Sequence, residues 1–468
     1  MILSTPLKQL LSTCIGLALY LSLASPLHAA PMRLPESIPE APGQAALQAI
    51  LNTIAKQRAE IINIQRELVS RPAIGPEAGG AGEEAKAAWV MTLLEERGIR
   101  NFERMDSVER TGSIDPDAKT RDVRPNIIVR YEGAEGLDNG RTFWIICHMH
   151  VAAPGPLELW SGSPWKLRVE GDTLYGRGVM DNYQSTAAAL LLFESLAKNN
   201  ITPPMNLGLI LHSQNSGFQY LLENRPELFK QDDLYLVPDY GNPQGTAYGV
   251  AEKGLLWLKI TVKGKQGHAS ASTGGASALM AGSRLIASLS ELNGQFPQSD
   301  PLFTPPVSTF APTRAFTQED GINAIAAEYT LYLDSRIVPP YTPEDVERGV
   351  RALADKVGKE SGTYCSIERL LAYPALPPTS IQSPVAQALM RAVKAQLPQA
   401  DMHQAEGVST TTSASLLRAK GLSVVTWAKM NPAVRQLPNE SARISDHLDE
   451  AKVFARILFD PEAAFSAK

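Results

Sequence analysis

The sequence predicts an α/β protein: a central, mostly parallel sheet flanked by helices, interrupted by a smaller α+β insert. Three observations predict it. Up to about residue 250, apolar β-branched runs alternate with helical patterns, which is the signature of a sheet built from strand–helix–strand units. Near residue 250 the rhythm changes to a half-exposed alternating strand, and the first rhythm returns after residue 375. The composition is that of a globular chain. Of 468 residues, 44% are apolar and 20% charged, and the 34 Gly and 34 Pro follow no repeat period. This excludes disordered, collagen-like and linker-like chains.

The elements follow in order. Lys8 and the apolar run LLSTCIGLALYLSLASPL (10–27) lead into small residues at LHAA (27–30). That is the order of a secretory signal peptide, so residues 1–30 are expected to direct export and to leave no membrane span once cleaved. Pro26 and the interrupting Ser and Thr argue against a permanent anchor. After a Pro-rich leader (31–42), apolar positions Leu47, Ile50, Leu51, Ile54, Ile61, Ile62 and Leu68 predict one helix over 44–69. A second helix is expected over 82–97. Strands are expected at 126–133, 143–150, 207–213 and 234–241, with a helix at 181–198. These make the first part of the main domain, 44–250. The insert, 254–372, should hold strands at 254–265 and 329–339 and helices at 276–293 and 342–359. The main domain resumes over 375–468.

A net charge of −5 gives no electrostatic case for binding nucleic acid or an anionic membrane. Beyond the leader two cysteines remain, Cys147 and Cys365. They fall in different expected domains and in no CxxC pattern, so two separate buried thiols are expected.

In α/β sheets chemistry gathers at the carboxyl ends of strands. Four such ends carry polar residues: His148-Met149-His150, the stretch Gly176 to Asp181, Gln214-Asn215, and Pro238-Asp239. One His and two Asp from separate strand ends are a donor set that suits zinc with an open fourth position.

Five segments carry a resemblance. LYGRGVMDN (174–182), ICHMHVAAPG (146–155), VKGKQGHAS (262–270), DSRIVPP (334–340) and PNESARI (438–444) resemble the landmarks of the M-twenty metallopeptidase family, which includes aminoacylase, carboxypeptidase G and succinyl-diaminopimelate desuccinylase. The resemblance spans residues 46 to 460. It implies a zinc-exopeptidase-like main domain, and it makes the insert a lid that often serves for homodimerisation. It also implies two zinc ions. The first ligand set falls on His148, Asp181 and Asp239 and is intact. The second falls on Asp181, Asn215 and Gln436, so two ligands are amides. The general base falls on Gln214. The outer Asp that clamps the first ligand His falls on His150, and the usual Gly-rich turn reads GVSTTTSAS (407–415). In the lid, His268, Asn323 and Arg336 match substrate-contacting positions, Arg336 toward a carboxylate.

An amide is a poor zinc ligand, and Gln214 cannot take a proton from water. Two readings follow. One is a binding or regulatory protein for a small peptide or N-acyl amino acid on a hydrolase scaffold. The other is a hydrolase working with one zinc ion, His150 or His212 serving as base. A nucleophilic enzyme using Ser213 or Ser409 has no recognisable triad behind it. His447, the other C-terminal imidazole, is expected on a helix surface.

Overall fold

Eight strands form the central sheet, in the order Phe102–Arg110, Arg121–Tyr131, Asn206–His212, Thr142–His148, Leu234–Asn242, Val424–Lys429, Ala247–Glu252 and Gln404–Val408. The computed structural model describes residues 43–110, 121–274, 276–319, 321–399 and 404–465, so the signal-like segment and the Pro-rich leader lie outside the described residues. The central strands pair in parallel, and the first two strands of the order add to the sheet antiparallel. Thr142–His148 and Asn206–His212 are buried along their whole length, which is why they are near-continuous apolar runs. Phe102–Arg110 was not predicted. Its sequence, FERMDSVER, is polar because it lies at the sheet edge.

Strand alternation sends side chains to opposite faces. Phe143, Ile145 and Cys147 join the larger core, together with helices Gln44–Ala55, Arg58–Val69, Tyr183–Asn199, Pro384–Gln396 and Ile444–Leu458. Trp144 and Ile146 join the core on the other face, with Phe218, Leu221 and Leu417. Residues 44–69 are two helices, broken at Lys56–Gln57, rather than the single one expected. The break lets Ile50, Leu51 and Ile54 in one piece, and Ile61, Ile64 and Leu68 in the other, each face the same core.

The insert is a four-stranded antiparallel sheet, in the order Thr309–Thr317, Glu328–Ile337, Gly254–Lys263 and Tyr364–Tyr373. Leu256, Leu258, Ile260, Leu331 and Leu333 pack one face on helices Ala278–Ser288 and Pro343–Ser361. Thr342 and Asp345 close a reciprocal capping box on the second of these. Among the described residues no helix is long and apolar enough to cross a membrane. Cys147 and Cys365 are separate, free and buried.

One buried acid ties the last long helix to the sheet. Glu450 accepts hydrogen bonds from Gln184 Nε2, Ser185 Oγ and the Lys429 N–H. Burial raises its carboxyl to about 8 despite those donors. A pKa raised on folding stabilises fully below the ordinary carboxyl value and is lost as pH rises through the folded value. Melting temperature should therefore fall between about pH 5 and pH 9. Thermal melts of Glu450→Gln should show a shallower fall across that window.

Candidate active site

Register brings the first residues of the site together. His148 pairs with His212 on the adjacent strand, and the Phe143–Leu234 pairing, continued at the same offset, sets Asp239 level with His148. His148, His212 and Asp239 continue the sheet face that carries Ile146, Ile210 and Val237. They emerge at the carboxyl ends of three neighbouring strands.

Asp181 reaches the same point from the loop before helix Tyr183–Asn199. That loop is held by Glu440, whose Oε1 accepts the N–H groups of Met180 and Asp181 at 3.2 and 3.0 Å. Glu440 is itself paired with Arg177 at 2.7 Å, and both are fully buried. Arg177 also donates to the carbonyls of Ala153 and Gln436. The Gly-Arg-Gly and Pro-Asn-Glu landmarks are thus two halves of one clamp beneath Asp181.

His148 Nε2 lies 3.2 Å from Asp181 Oδ1. Donor atoms of His148, Asp181 and Asp239 all fall within 4.8 Å of one another, a spacing able to hold a metal ion. A residue that sequence reasoning missed stands among them. Arg435 Nε donates to Asp181 Oδ2 at 2.9 Å and Nη2 to Asp181 Oδ1 at 3.2 Å, while Nη2 also pairs with Asp239 Oδ1. Gln436 Nε2 donates to Asp181 Oδ2 at 2.8 Å. Gln436 has φ +56°, a left-handed backbone uncommon outside Gly, and through that turn both consecutive side chains reach Asp181. The only advance signal for Arg435 is its position next to Gln436.

The charges follow from these contacts. Burial opposes ionisation of Asp181, but Arg435 and His148 hold its carboxyl well below the usual range. Burial raises Asp239, against the pull of Arg435. Burial disfavours the His148 imidazolium, yet the bond to Asp181 raises its pKa overall. These residues do not fit a dinuclear zinc centre. A zinc ligand must offer a lone pair. At the Gln436 position an amide N–H points at Asp181, and a guanidinium already holds both acids.

His148 Nδ1 meets the backbone carbonyl of His150 at 3.0 Å, and that carbonyl orients the ring. The His150 ring lies against His148 at a tilt of 32°, with centroids 4.3 Å apart, and bonds through Nδ1 to the Ser213 carbonyl. Burial, with the nearby His148 charge, lowers His150 to about 3. His212 is buried with both nitrogens engaged, Nδ1 at the Gln214 carbonyl and Nε2 at Ser413 Oγ, 2.7 Å away. Burial, with His148 and His150 close by, lowers its pKa well below the ordinary imidazole value. His212 thus has both ring nitrogens committed to the protein, whereas in His150 the bond to Ser213 engages Nδ1. Gln214 precedes helix Asn215–Asn224, and Asn215 Oδ1 lies 3.5 Å from Ser413 Oγ. His447 is helical but fully buried, correcting the surface placement; it bonds to Gln65 and the Arg443 carbonyl.

Several hydroxyls of the Ser- and Thr-rich turn bond within the protein. Ser409 Oγ donates to the Thr304 carbonyl, Thr412 to Glu252, and Ser413 to His212. Gly407 alone is kept by close packing, because a Cβ there would lie 2.3 Å from the Phe303 ring. Gly407→Ala should destabilise by about 1–3 kcal/mol through overpacking. A thermal-shift comparison checks it.

In the insert, His268 ends a short strand paired with Ala324–Ile325, and Asn323 in the turn just before that partner meets its ring, Nδ2 to Nε2 at 3.1 Å; both are exposed. Arg336 is not joined to them. Its Nε and Nη2 are held by Asp334 at 2.7 and 2.9 Å.

Comparison with known proteins agrees with the fold. Residues 250–362 match the family model described as a peptidase dimerisation domain. An uncharacterised metallohydrolase of Methanocaldococcus jannaschii is 32% identical over 422 residues, covering 85% of this chain and 98% of the relative. One of Methanococcus maripaludis is 30% identical over 418 residues, with the same coverage. The chain belongs to the M-twenty peptidase family. Human carnosine dipeptidase 1 shares the fold, with a TM-score of 0.72 at 15% identity over 89% of this chain and 98% of that one. M-twenty metallohydrolases usually use zinc, and among the described residues His148, Asp181 and Asp239 form a group with the donors to hold an ion.

Proposed function

We propose that this chain is an exported, non-hydrolytic member of the M-twenty family that binds a small peptide or N-acyl amino acid. The observation that carries the reading is the hydrogen bond from Gln436 Nε2 to Asp181 at 2.8 Å. It puts Gln436 against the central acid of the site, and the group it presents there is a donor. With Gln214 at the general-base position, no proton acceptor replaces the lost carboxylate. The ligand's free carboxylate would displace Asp334 from Arg336, whose planar fork suits it. His268 and Asn323, exposed and already paired, would contact the adjoining amide. The N-terminal order of Lys8, apolar run and small residues supports export. The match over 250–362 supports a homodimer formed through the insert.

A mono-zinc hydrolase is the second reading, favoured by the 4.8 Å spacing of the triad's donors. Assays of the full-length mature protein separate the two. Calorimetric binding of N-acyl amino acids or dipeptides, with no turnover in zinc-supplemented buffer, is the expected result. Zinc-dependent hydrolysis that disappears in His148→Ala would overturn the proposal.

A further inference from the structure

We infer that Arg435 takes the place of the divalent cation: its guanidinium is a tethered counterion that holds Asp181 and Asp239 together and keeps metal out. The inference deepens the non-hydrolytic reading and rests on it for its setting.

An ionised carboxylate offers about four acceptor sites, two on each oxygen. In Asp181 Arg435 and Gln436 donate to three of them, and His148 Nε2 lies against the fourth. Oδ1 faces His148 Nε2 at 3.2 Å and Arg435 Nη2 at 3.2 Å, and Oδ2 faces Arg435 Nε at 2.9 Å and Gln436 Nε2 at 2.8 Å. A zinc ion shared by Asp181 and Asp239 must therefore compete with the guanidinium that already bridges them. Asp239 is engaged twice by the same guanidinium, Nη2 meeting its carboxylate and Nη1 its backbone carbonyl at 3.1 Å.

Arg435 thereby spends four of its five N–H groups on the two acids. Two buried carboxylates this close need a cation between them, since unpaired buried charge is strongly unfavourable. In a zinc site a metal ion meets that need. Here the guanidinium meets it, and it is always charged and covalently attached. The geometry is built in by the neighbouring left-handed turn at Gln436, which brings residues 435 and 436 onto the same acid. The acids are kept for their charge toward Arg435, and retention of His148, Asp181 and Asp239 is no sign of retained metal.

The test is zinc stoichiometry. Wild-type protein and Arg435→Met are equilibrated with zinc, desalted and analysed for metal, and each is melted with zinc and with a chelator. Wild type should retain about zero zinc and show no zinc-dependent melting shift. Arg435→Met should melt lower in chelator, recover with zinc, and hold about one ion per chain on His148, Asp181 and Asp239. Adding His148→Ala to that variant should abolish the gain. Zinc retained by wild type overturns the inference, whatever the protein's turnover. So does an Arg435→Met chain that takes up no zinc, or that stays unfolded even with zinc present. Metal-free hydrolysis by wild type would instead sink the non-hydrolytic reading and leave the role of Arg435 standing.

Discussion

Glu440→Ala is expected to lower stability by roughly 3–5 kcal/mol, because it strands a buried guanidinium with no counter-charge. Arg177 and Glu440 meet at 2.7 Å with side chains 1% and 0% exposed. The loss goes beyond one ion pair. Glu440 also accepts the N–H groups of Met180 and Asp181, so those two donors would be buried without partners, and each such orphan costs about 1–3 kcal/mol. Arg177→Ala should cost a similar amount, since it leaves the carboxylate unpaired. The double variant should lose clearly less than the sum of the two, the mark of a coupled pair. Urea titration of the four proteins measures the cycle. Simple additivity would show that the two residues act apart.

The second large effect concerns metal. Changing Gln214 and Asn215 to Glu, Gln436 to His and His150 to Asp supplies the base, ligands and clamp that zinc chemistry needs. Those four changes alone should still fail to load two ions, because Arg435 remains on Asp181 and Asp239. With Arg435→Met as a fifth change, the protein should hold about two zinc ions per chain. Inductively coupled plasma analysis reads the difference. Equal loading of the four-change and five-change proteins would show that Arg435 has no part in excluding metal.

Much of this site was legible in the chain, for definite physical reasons. His148 and Asp239 were found because buried parallel strands are continuous apolar runs, and the polar residue at the end of such a run is conspicuous. Asp181 was found through Gly176-Arg177-Gly178. The structure shows that stretch pinned to Glu440, with Gly178 at φ +87° against Tyr183. Gln436 was placed by its spacing from Asn439 and Glu440, and it does reach Asp181. Arg435 was not legible. An arginine in a loop is ordinarily solvated, and only the left-handed turn at the next residue directs this one inward. The pairing of His212 with Ser413 joins residues two hundred positions apart, and no local pattern announces it. The edge strand Phe102–Arg110 escaped because edge strands are polar. The single helix expected at 44–69 failed because apolar spacing survives a two-residue break when both pieces face one core. Arg336 held the ambiguity its sequence context showed: Asp334, two residues away on the same strand, is its partner.

The most direct test of a self-neutralised site is a crystal structure grown in millimolar zinc, with anomalous data at the zinc edge. The account predicts no anomalous peak between Asp181 and Asp239, and the Arg435 guanidinium still bridging them. A peak about 2.0–2.2 Å from His148 and both carboxylates, with Arg435 turned out of the site, would contradict it.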